Sequence, residues 1–256
     1  MKRQEVAKAL VNYIPALCCD VNGSIVHVKK VPSLASIKDY VIKAVESVAA
    51  RDTKNIRVYF AEYGKDIFSD DRIGKLKPAI ARVFLHGVKR NDFEDANTYL
   101  VKQHEIPFVR KLLATYKKCG ESKKTVLVSR GVFKYPFVRH FKFDYSISND
   151  TCFESIENDE IFAGFYLPIR TAQDKLEATE RLLNKELNLS VSQCGVMVDG
   201  INDIPLIEES ALSIASPFAH PKVSKQVDYS IRNYNDYRLL IRDIEEEVPK
   251  TEPRIF

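Results

Sequence analysis

The chain has 256 residues, of which 45% are hydrophobic and 29% are charged, and these proportions are typical of a soluble globular protein. Its net charge is +4, and its lysine pairs are scattered rather than gathered into a basic stripe, which argues against a nucleic-acid-binding protein. No apolar run reaches the roughly 18 residues that a transmembrane helix needs, and the first residues do not resemble a signal peptide. We therefore expect a globular protein that binds neither nucleic acid nor membrane.

The cysteines exclude two further classes of protein. There are five of them, an odd number, and none forms a Cys-x-x-Cys pair: Cys18, Cys19, Cys119, Cys152 and Cys194. This pattern indicates neither a zinc site nor a disulfide framework. Because free thiols persist in a reducing compartment, we expect a cytoplasmic protein.

The first part of the chain predicts one strand followed by a helical region. Hydrophobic spacing predicts a short helix over 4–12, and the apolar run Ala16–Cys19 predicts a buried strand that ends at Asp20. Helical spacing then recurs over 37–48, near 72–86 and over 92–103. Asn91 and Glu94 stand at the spacing of a capping box for the last of these helices.

The remainder of the chain alternates between strands and helices. Pro107 begins a predicted helix that Gly120 ends, and Thr171 with Asp174 forms the capping box of another. The other predicted elements are a strand over Thr125–Ser129, a hairpin over 153–169, a strand over Gly195–Val198, a short helix from Asp203, strands over Leu212–Ala215 and Tyr229–Ile231, and a helix over 236–246.

This alternation of strands and helices predicts an α/β fold with a parallel sheet. The helical region interrupts the alternation, so we expect a core domain that carries an insert. Residues 1–30 and 106–256 would form the core, and residues 31–105 would form a helical cap.

Predicted strands end in reactive side chains at three positions: Asp20, Ser129 and Asp199. In a doubly wound sheet, ligands bind beyond the carboxyl ends of the strands, so these groups would meet at one edge. A second carboxylate, Asp203, follows Asp199 across a tight turn. Two converging carboxylates suit Mg²⁺, which is usually bound by one or two carboxylates together with water and substrate phosphate. The pattern therefore indicates phosphate chemistry.

Individual side chains can be given roles in such chemistry. A carboxylate beside a bound metal, such as Asp20, is a competent nucleophile toward phosphorus. Ser129 could donate to a phosphate oxygen, and the charge of Lys175 could offset phosphate and Asp20 together. Each residue also has a plainer interpretation when it is taken alone: a turn at Asp20, a strand cap at Ser129 and a solvated surface position for Lys175.

In order and spacing, the segments at Asp20, Ser129, Lys175 and Asp199–Asp203 resemble the four signature motifs of the haloacid dehalogenase superfamily of phosphohydrolases. The chain is most similar to the phosphoserine-phosphatase-like branch, which has a helical cap between the first and second motifs. The resemblance covers residues 14–30 and 106–245. It implies a Rossmann-like core with an inserted helical cap.

The resemblance also implies a role for each residue of the motifs. Asp20 would be the nucleophile, and Asn22 and Lys175 would complete the catalytic set. Mg²⁺ would be held by Asp199, Asp203, Asp20 and the backbone carbonyl of Asn22. The phosphate would contact Gly23, Ser129, Arg130, Gly131, Lys175 and Asn202.

The chain departs from the family pattern at Asn22. Phosphatases of this family usually carry an Asp there, which acts as general acid and base. An amide cannot transfer a proton at neutral pH, and general acid–base catalysis contributes roughly 10²–10⁴-fold. The resemblance therefore implies slow phosphoryl transfer that favours good leaving groups.

Four explanations of Asn22 remain open at this point. They are divergence toward a slow or specialised transferase, decay to a phosphate-binding protein without turnover, replacement of an Asp to trap a complex, and deamidation before Gly23 that would regenerate the acid.

The expected function is a Mg²⁺-dependent phosphatase or phosphotransferase that acts on a small phosphorylated substrate through an aspartyl-phosphate at Asp20. The alternative is an impaired protein of the same fold that binds Mg²⁺ and phosphate, or a protein partner, without turnover.

Overall fold

A computed structural model describes residues 1–21, 23–27, 88–131 and 134–248. The elements in chain order are α1 (Arg3–Asn12), β1 (Ala16–Cys19), α2 (Arg90–His104), α3 (Val109–Lys118), β2 (Lys124–Ser129), α4 (Lys134–Phe141), β3 (Tyr145–Ser148), β4 (Asp150–Ile156), β5 (Asp159–Tyr166), α5 (Ala172–Leu187), β6 (Gly195–Val198), α6 (Ile204–Glu209), β7 (Leu212–Ala215), α7 (Pro221–Ser224), β8 (Tyr229–Ser230) and α8 (Tyr234–Glu247).

The centre of the molecule is a six-stranded parallel sheet with the order β3-β2-β1-β6-β7-β8. The chain builds the sheet outward from β1 to β3 and then returns to the other side of β1 with β6. The strand order therefore reverses between β1 and β6, and in sheets of this kind ligands bind beyond the carboxyl ends of the strands at such a reversal. The predicted α/β fold with a parallel sheet is confirmed.

Both faces of this sheet are buried, which is why its strands are almost continuously apolar. Alternate residues of β1 face opposite layers: Leu17 and Cys19 pack in one hydrophobic cluster, and Ala16 and Cys18 pack in the other. The first cluster includes side chains of α1, α3, α4 and α8, and the second includes side chains of α5, α6 and α7.

Most of the predicted core elements are present. The helices predicted over 4–12 and 236–246 correspond to α1 and α8, and the hairpin predicted over 153–169 corresponds to β4 and β5. The capping box of α5 is also present, because Asp174 N donates to Thr171 Oγ1 at 3.0 Å and Thr171 N donates to Asp174 Oδ2 at 2.9 Å.

Two predicted helix starts are wrong. α2 begins one residue before Asn91, and Glu94 accepts from Arg90 Nε at 2.9 Å instead of closing a capping box. α3 begins at Val109 rather than Pro107, because the intervening Phe108 has a φ of 73° that a helix cannot include.

The described residues include the two chain segments at the predicted boundary between core and cap. Val26 and Glu105 form an antiparallel bridge, His27 N donates to His104 O at 2.8 Å, and Ile106 N donates to Ile25 O at 3.0 Å. The helices predicted over 37–48 and 72–86 lie outside the described residues. The boundaries of the cap at residues 31 and 105 remain a prediction.

The small hairpin of β4 and β5 contacts α2 at the edge of the predicted cap. Phe162 N donates to Val88 O at 3.0 Å, and Arg90 Nη1 lies 3.1 Å from both carboxylate oxygens of Glu160. None of the described helices combines the length and the apolar composition that crossing a lipid bilayer requires.

Candidate active site

Three carboxylates converge beyond the carboxyl ends of β1 and β6. Asp20 extends the ladder past β1, because its backbone N–H donates to Met197 O at 2.9 Å. Asp199 follows the neighbouring strand β6 directly, and Asp203 ends the 3-10 turn that leads into α6. Ligand oxygens of these acids lie within 4.8 Å of one another, which brings together residues that the sequence separates widely.

The three acids differ in their access to solvent. The side chain of Asp20 is 11% exposed, Asp199 is 7% exposed and Asp203 is completely buried. Burial raises the pKa of Asp203, an effect that Lys175 opposes and Asp20 reinforces. A further hydrogen bond fixes the carboxylate of Asp203, because Gly200 N donates to its Oδ2 at 3.2 Å.

Lys175 is buried between two of these acids. Its Nζ donates to Asp20 Oδ1 and to Asp203 Oδ1, each at 2.5 Å, and its side chain has no exposed surface. Burial by itself would lower the pKa of Lys175, but the two carboxylates outweigh it and raise that pKa. The ammonium group is therefore held in its charged form.

Local helix geometry explains why a lysine occupies this buried position. The buried residues of α5 are Lys175, Ala178, Thr179 and Leu183, which lie on one face of the helix at spacings of three, four and eight residues. Lys175 is thus the first residue of the core-facing stripe, at the helix end near the sheet edge. Its backbone carbonyl accepts from Thr179 Oγ1 at 2.7 Å.

Gly23 lies directly against Asp199, one of the three candidate metal ligands. Its φ is +74°, and a Cβ at this position would overlap the carboxylate of Asp199. A turn that packs this closely requires glycine for both reasons. Asn22, which precedes it, lies outside the described residues.

A second strand end contributes the predicted phosphate loop. In the register of β1 and β2, Cys19 pairs with Leu127, so buried Ser129 ends its strand close to the level of Asp20. Gly131 N donates to Ser129 Oγ at 2.9 Å, which curls the loop around the hydroxyl. The side chain of Arg130 is exposed.

Asn202 lies in the turn between Asp199 and Asp203. It is half-buried, and its Oδ1 lies 2.5 Å from the position that a Cβ on Gly200 would occupy. The amide therefore packs against the backbone of the acidic turn.

One polar residue at this edge is missing from the sequence prediction. Asn149 is 4% exposed, and its side chain hydrogen-bonds both the loop after Ser129 and the chain segment before α5. The only sequence signal for it is an amide directly after a strand, and that strand, β3, is itself missing from the prediction.

Part of the chain is similar to a known protein family. Residues 147–238 match the family model described as haloacid dehalogenase-like hydrolase. No curated protein sequence matches the chain.

Several solved structures have a similar fold. A substrate-bound phosphoserine phosphatase matches with a TM-score of 0.58 and 15% identity, over 90% of this chain and 97% of that one. A haloacid dehalogenase family hydrolase from Salmonella enterica serovar Typhi matches with a TM-score of 0.59 and 18% identity, over 94% and 73%. A probable phosphoserine phosphatase from Vibrio cholerae matches with a TM-score of 0.58 and 16% identity, over 95% and 68%.

The family match includes both the helix that carries Lys175 and the acidic turn, and the fold similarity extends to the strands that carry Asp20 and Ser129. Residues 147–238 therefore resemble a haloacid dehalogenase-like hydrolase, and the chain has a fold similar to that of the solved phosphoserine phosphatases.

Proposed function

We propose that this protein is a Mg²⁺-dependent phosphoric monoester hydrolase that acts on a small phosphorylated substrate through an aspartyl-phosphate at Asp20. The observation that carries the proposal is the position of Lys175 Nζ, 2.5 Å from both Asp20 and Asp203, within the cluster of three acids. A solvated surface lysine does not occupy such a position, and a purely structural ion pair does not need a third carboxylate.

The donor set fits Mg²⁺ by its chemistry and its charge. Carboxylate oxygens are ligands that this hard cation prefers. Three carboxylates face one ammonium group, so the fully ionised cluster carries an excess of two negative charges. Asp20, Asp199 and Asp203 would hold the ion, together with the backbone carbonyl of Asn22. When bound, Mg²⁺ would supply positive charge that draws the phosphate toward Asp20.

We assign the nucleophilic attack to Asp20 Oδ2, because Oδ1 accepts from Lys175. A bond forms between this oxygen and phosphorus while the ester oxygen leaves. Lys175 orients the carboxylate of Asp20 through its hydrogen bond to Oδ1, and its charge also offsets that of the incoming phosphate. Water then hydrolyses the aspartyl-phosphate, which releases inorganic phosphate and restores Asp20.

The loop after β2 would orient the phosphate. Ser129 Oγ accepts from Gly131 N, so the hydroxyl hydrogen is the part of Ser129 that would donate to a phosphate oxygen. The backbone of Gly23 and the side chains of Arg130 and Asn202 would complete the phosphate site. The cap, assigned to residues 31–105, would select the rest of the substrate.

Asn22 limits the rate in this proposal. The leaving alcohol takes its proton from water rather than from a carboxylic acid, so aryl phosphates, which leave easily as anions, should be the best substrates. The second step should also be slow, because no carboxylate at this position activates the water.

Turnover of para-nitrophenyl phosphate in the presence and absence of Mg²⁺ tests the proposal. We expect Mg²⁺-dependent turnover that Asp20→Asn abolishes. Asp228→Asn is the matched control, because Asp228 accepts from Ser213 at the other end of the sheet. Asn22→Asp should raise turnover by about 10²–10⁴-fold where the missing acid is rate-limiting.

The alternative, a protein that binds phosphate without turnover, predicts the same background rate in all four proteins. That result, obtained with folded samples, would refute catalysis. Intact-mass measurement of the wild type shows in the same experiment whether Asn22 has deamidated.

A further inference from the structure

We infer that Asn149 is a positioning residue for phosphoryl transfer, because its side chain joins the phosphate loop after β2 to the segment that carries Lys175. The inference rests on the proposed function of Ser129 and Lys175. It assigns to a residue outside the four motifs the task of holding the third motif against the second.

The side-chain amide of Asn149 makes three hydrogen bonds to the backbone. Its Nδ2 donates to Arg130 O at 2.8 Å and to Ile169 O at 2.9 Å, and its Oδ1 accepts from Ile169 N at 2.8 Å. The residues that it joins lie 19 and 20 positions away along the chain. A single amide therefore fixes two separate segments relative to each other.

Each segment leads directly to a site residue. Arg130 lies between Ser129 and Gly131, whose hydrogen bond curls the phosphate loop. Ile169 is 1% exposed and precedes Thr171, the cap of the helix that places Lys175 between its two acids. Displacement at Asn149 would thus change the distance between the group that binds phosphate and the group that balances its charge.

The surroundings of Asn149 make this link stiff. Asn149 directly follows Ser148, which pairs with Ser129 in the register of β2 and β3. Its amide is buried, and both N–H groups of the amide donate to the two joined segments, one to Arg130 O and one to Ile169 O. Loss of these donors would leave the backbone carbonyls of Arg130 and Ile169 without this partner, which is unfavourable for buried groups.

The structure also offers a matched control at the opposite end of the same two strands. Asp144 precedes β3, and its Oδ2 accepts from Thr125 N at 2.8 Å and from Thr125 Oγ1 at 2.9 Å. Asp144 thus also joins β3 to β2, but at the amino ends of the strands, away from the candidate active site.

The test compares Asn149→Asp with Asp144→Asn, both assayed well below their melting temperatures. Asn149→Asp keeps the shape of the side chain but replaces both donors with an acceptor. We expect its kcat/KM for para-nitrophenyl phosphate to fall about 10–100-fold, because a displacement of about 1 Å can cost 10²-fold. The inhibition constant of inorganic phosphate should rise, and the amides near Gly131 and Ile169 should exchange faster with deuterium.

Asp144→Asn should lower the melting temperature while kcat/KM, phosphate inhibition and exchange at Gly131 and Ile169 stay near wild type. Equal losses of kcat/KM in the two variants, or an unchanged phosphate inhibition constant in folded Asn149→Asp, would overturn the inference. If Asn149→Asp does not fold, Asn149→Ser, which adds no charge, replaces it with the same expected outcomes.

If only the role of Asn149 is wrong, the wild type still shows Mg²⁺-dependent turnover. Failure of the proposed function appears instead as a wild type without Mg²⁺-dependent turnover, and it would remove the catalytic role of Asn149 as well.

Discussion

The buried lysines Lys175 and Lys123 have different hydrogen-bond partners and therefore different roles. Lys175 donates to two carboxylates. Lys123 donates to the backbone carbonyls of Leu10 and Ile14, at 2.8 and 2.7 Å, and burial lowers its pKa. The first lysine offsets negative charge at the acidic cluster, whereas the second satisfies carbonyl groups at the end of α1.

This difference predicts different responses to Mg²⁺. Lys175→Met leaves buried acids without a counter-charge, so we expect metal-free protein to lose about 3–5 kcal/mol of unfolding free energy. Added Mg²⁺ should recover part of that loss by supplying positive charge. Lys123→Met should lose about 1.5–3 kcal/mol of unfolding free energy. Mg²⁺ should stabilise this variant no more than it stabilises the wild type. Thermal melts with and without Mg²⁺ measure both effects, and equal recovery in the two variants would contradict the assignment.

At this scale the sequence predicts that the acids lie together, but it does not predict the position of Asn149. Asp20 and Asp199 are visible because each ends an apolar strand, and parallel strands bring their carboxyl ends together. Asn149 cannot be recognised in the sequence, because what distinguishes it is three hydrogen bonds to backbone atoms 19 and 20 positions along the chain. Such bonds depend on the fold and not on any local pattern.

At the scale of elements, both edges of the sheet are attached by the same device. Asp144 precedes edge strand β3 and accepts from the backbone and hydroxyl of Thr125 in β2. Asp228 precedes edge strand β8 and accepts from the backbone and hydroxyl of Ser213 in β7. Each acid therefore secures a short edge strand at its amino end.

The acid before β3 should make stability depend on pH. Although burial alone would raise the pKa of Asp144, hydrogen bonds from Lys117 and Thr125 outweigh it and lower that pKa. A lowered folded-state pKa means that the stabilisation is present above the unfolded value of about 3.9 and is lost as the pH falls through the folded value. Urea unfolding of wild type and Asp144→Asn should differ at pH 6 and converge toward about pH 2. A constant difference between the two proteins would exclude this carboxylate as the cause.

The elements that the sequence does not predict are those with mixed patterns. α4 carries Pro136 in its first turn. Proline is tolerated there, but in a sequence it usually indicates the end of a helix. β3 has the sequence Tyr-Ser-Ile-Ser, whose first three residues are only half-buried. By contrast, the strands β1, β6 and β7 are buried throughout and are predicted within a residue of their bounds.

At the scale of the whole molecule, the burial of the cysteines indicates how tightly the sheet and the helix layers pack. Cys18, Cys19 and Cys194 are buried, and burial raises their pKa values, that of Cys194 to about 12. Cys119 is intermediate, and Cys152 on the hairpin is exposed.

We therefore expect a graded reaction with a disulfide-exchange reagent such as DTNB. Cys152 should react first and Cys119 more slowly, while the three buried thiols should react only after unfolding by guanidinium chloride. Cys152→Ser should remove the fast phase and leave the rest unchanged. Rapid reaction of all five thiols in native protein would mean that the layers open far more readily than this packing implies.

The reversal of strand order between β1 and β6 has a consequence for how the protein is made. Asp20 and Lys175 lie 155 positions apart, so their ion pair is a contact of very high sequence separation. Closing such a long loop is slow compared with forming local helices and hairpins. During synthesis, a chain that ends before β6 contains Asp20 but lacks Asp199 and Asp203. We therefore expect the candidate active site to form in one late step, when β6 pairs with β1 and the acidic turn that follows β6 reaches Asp20.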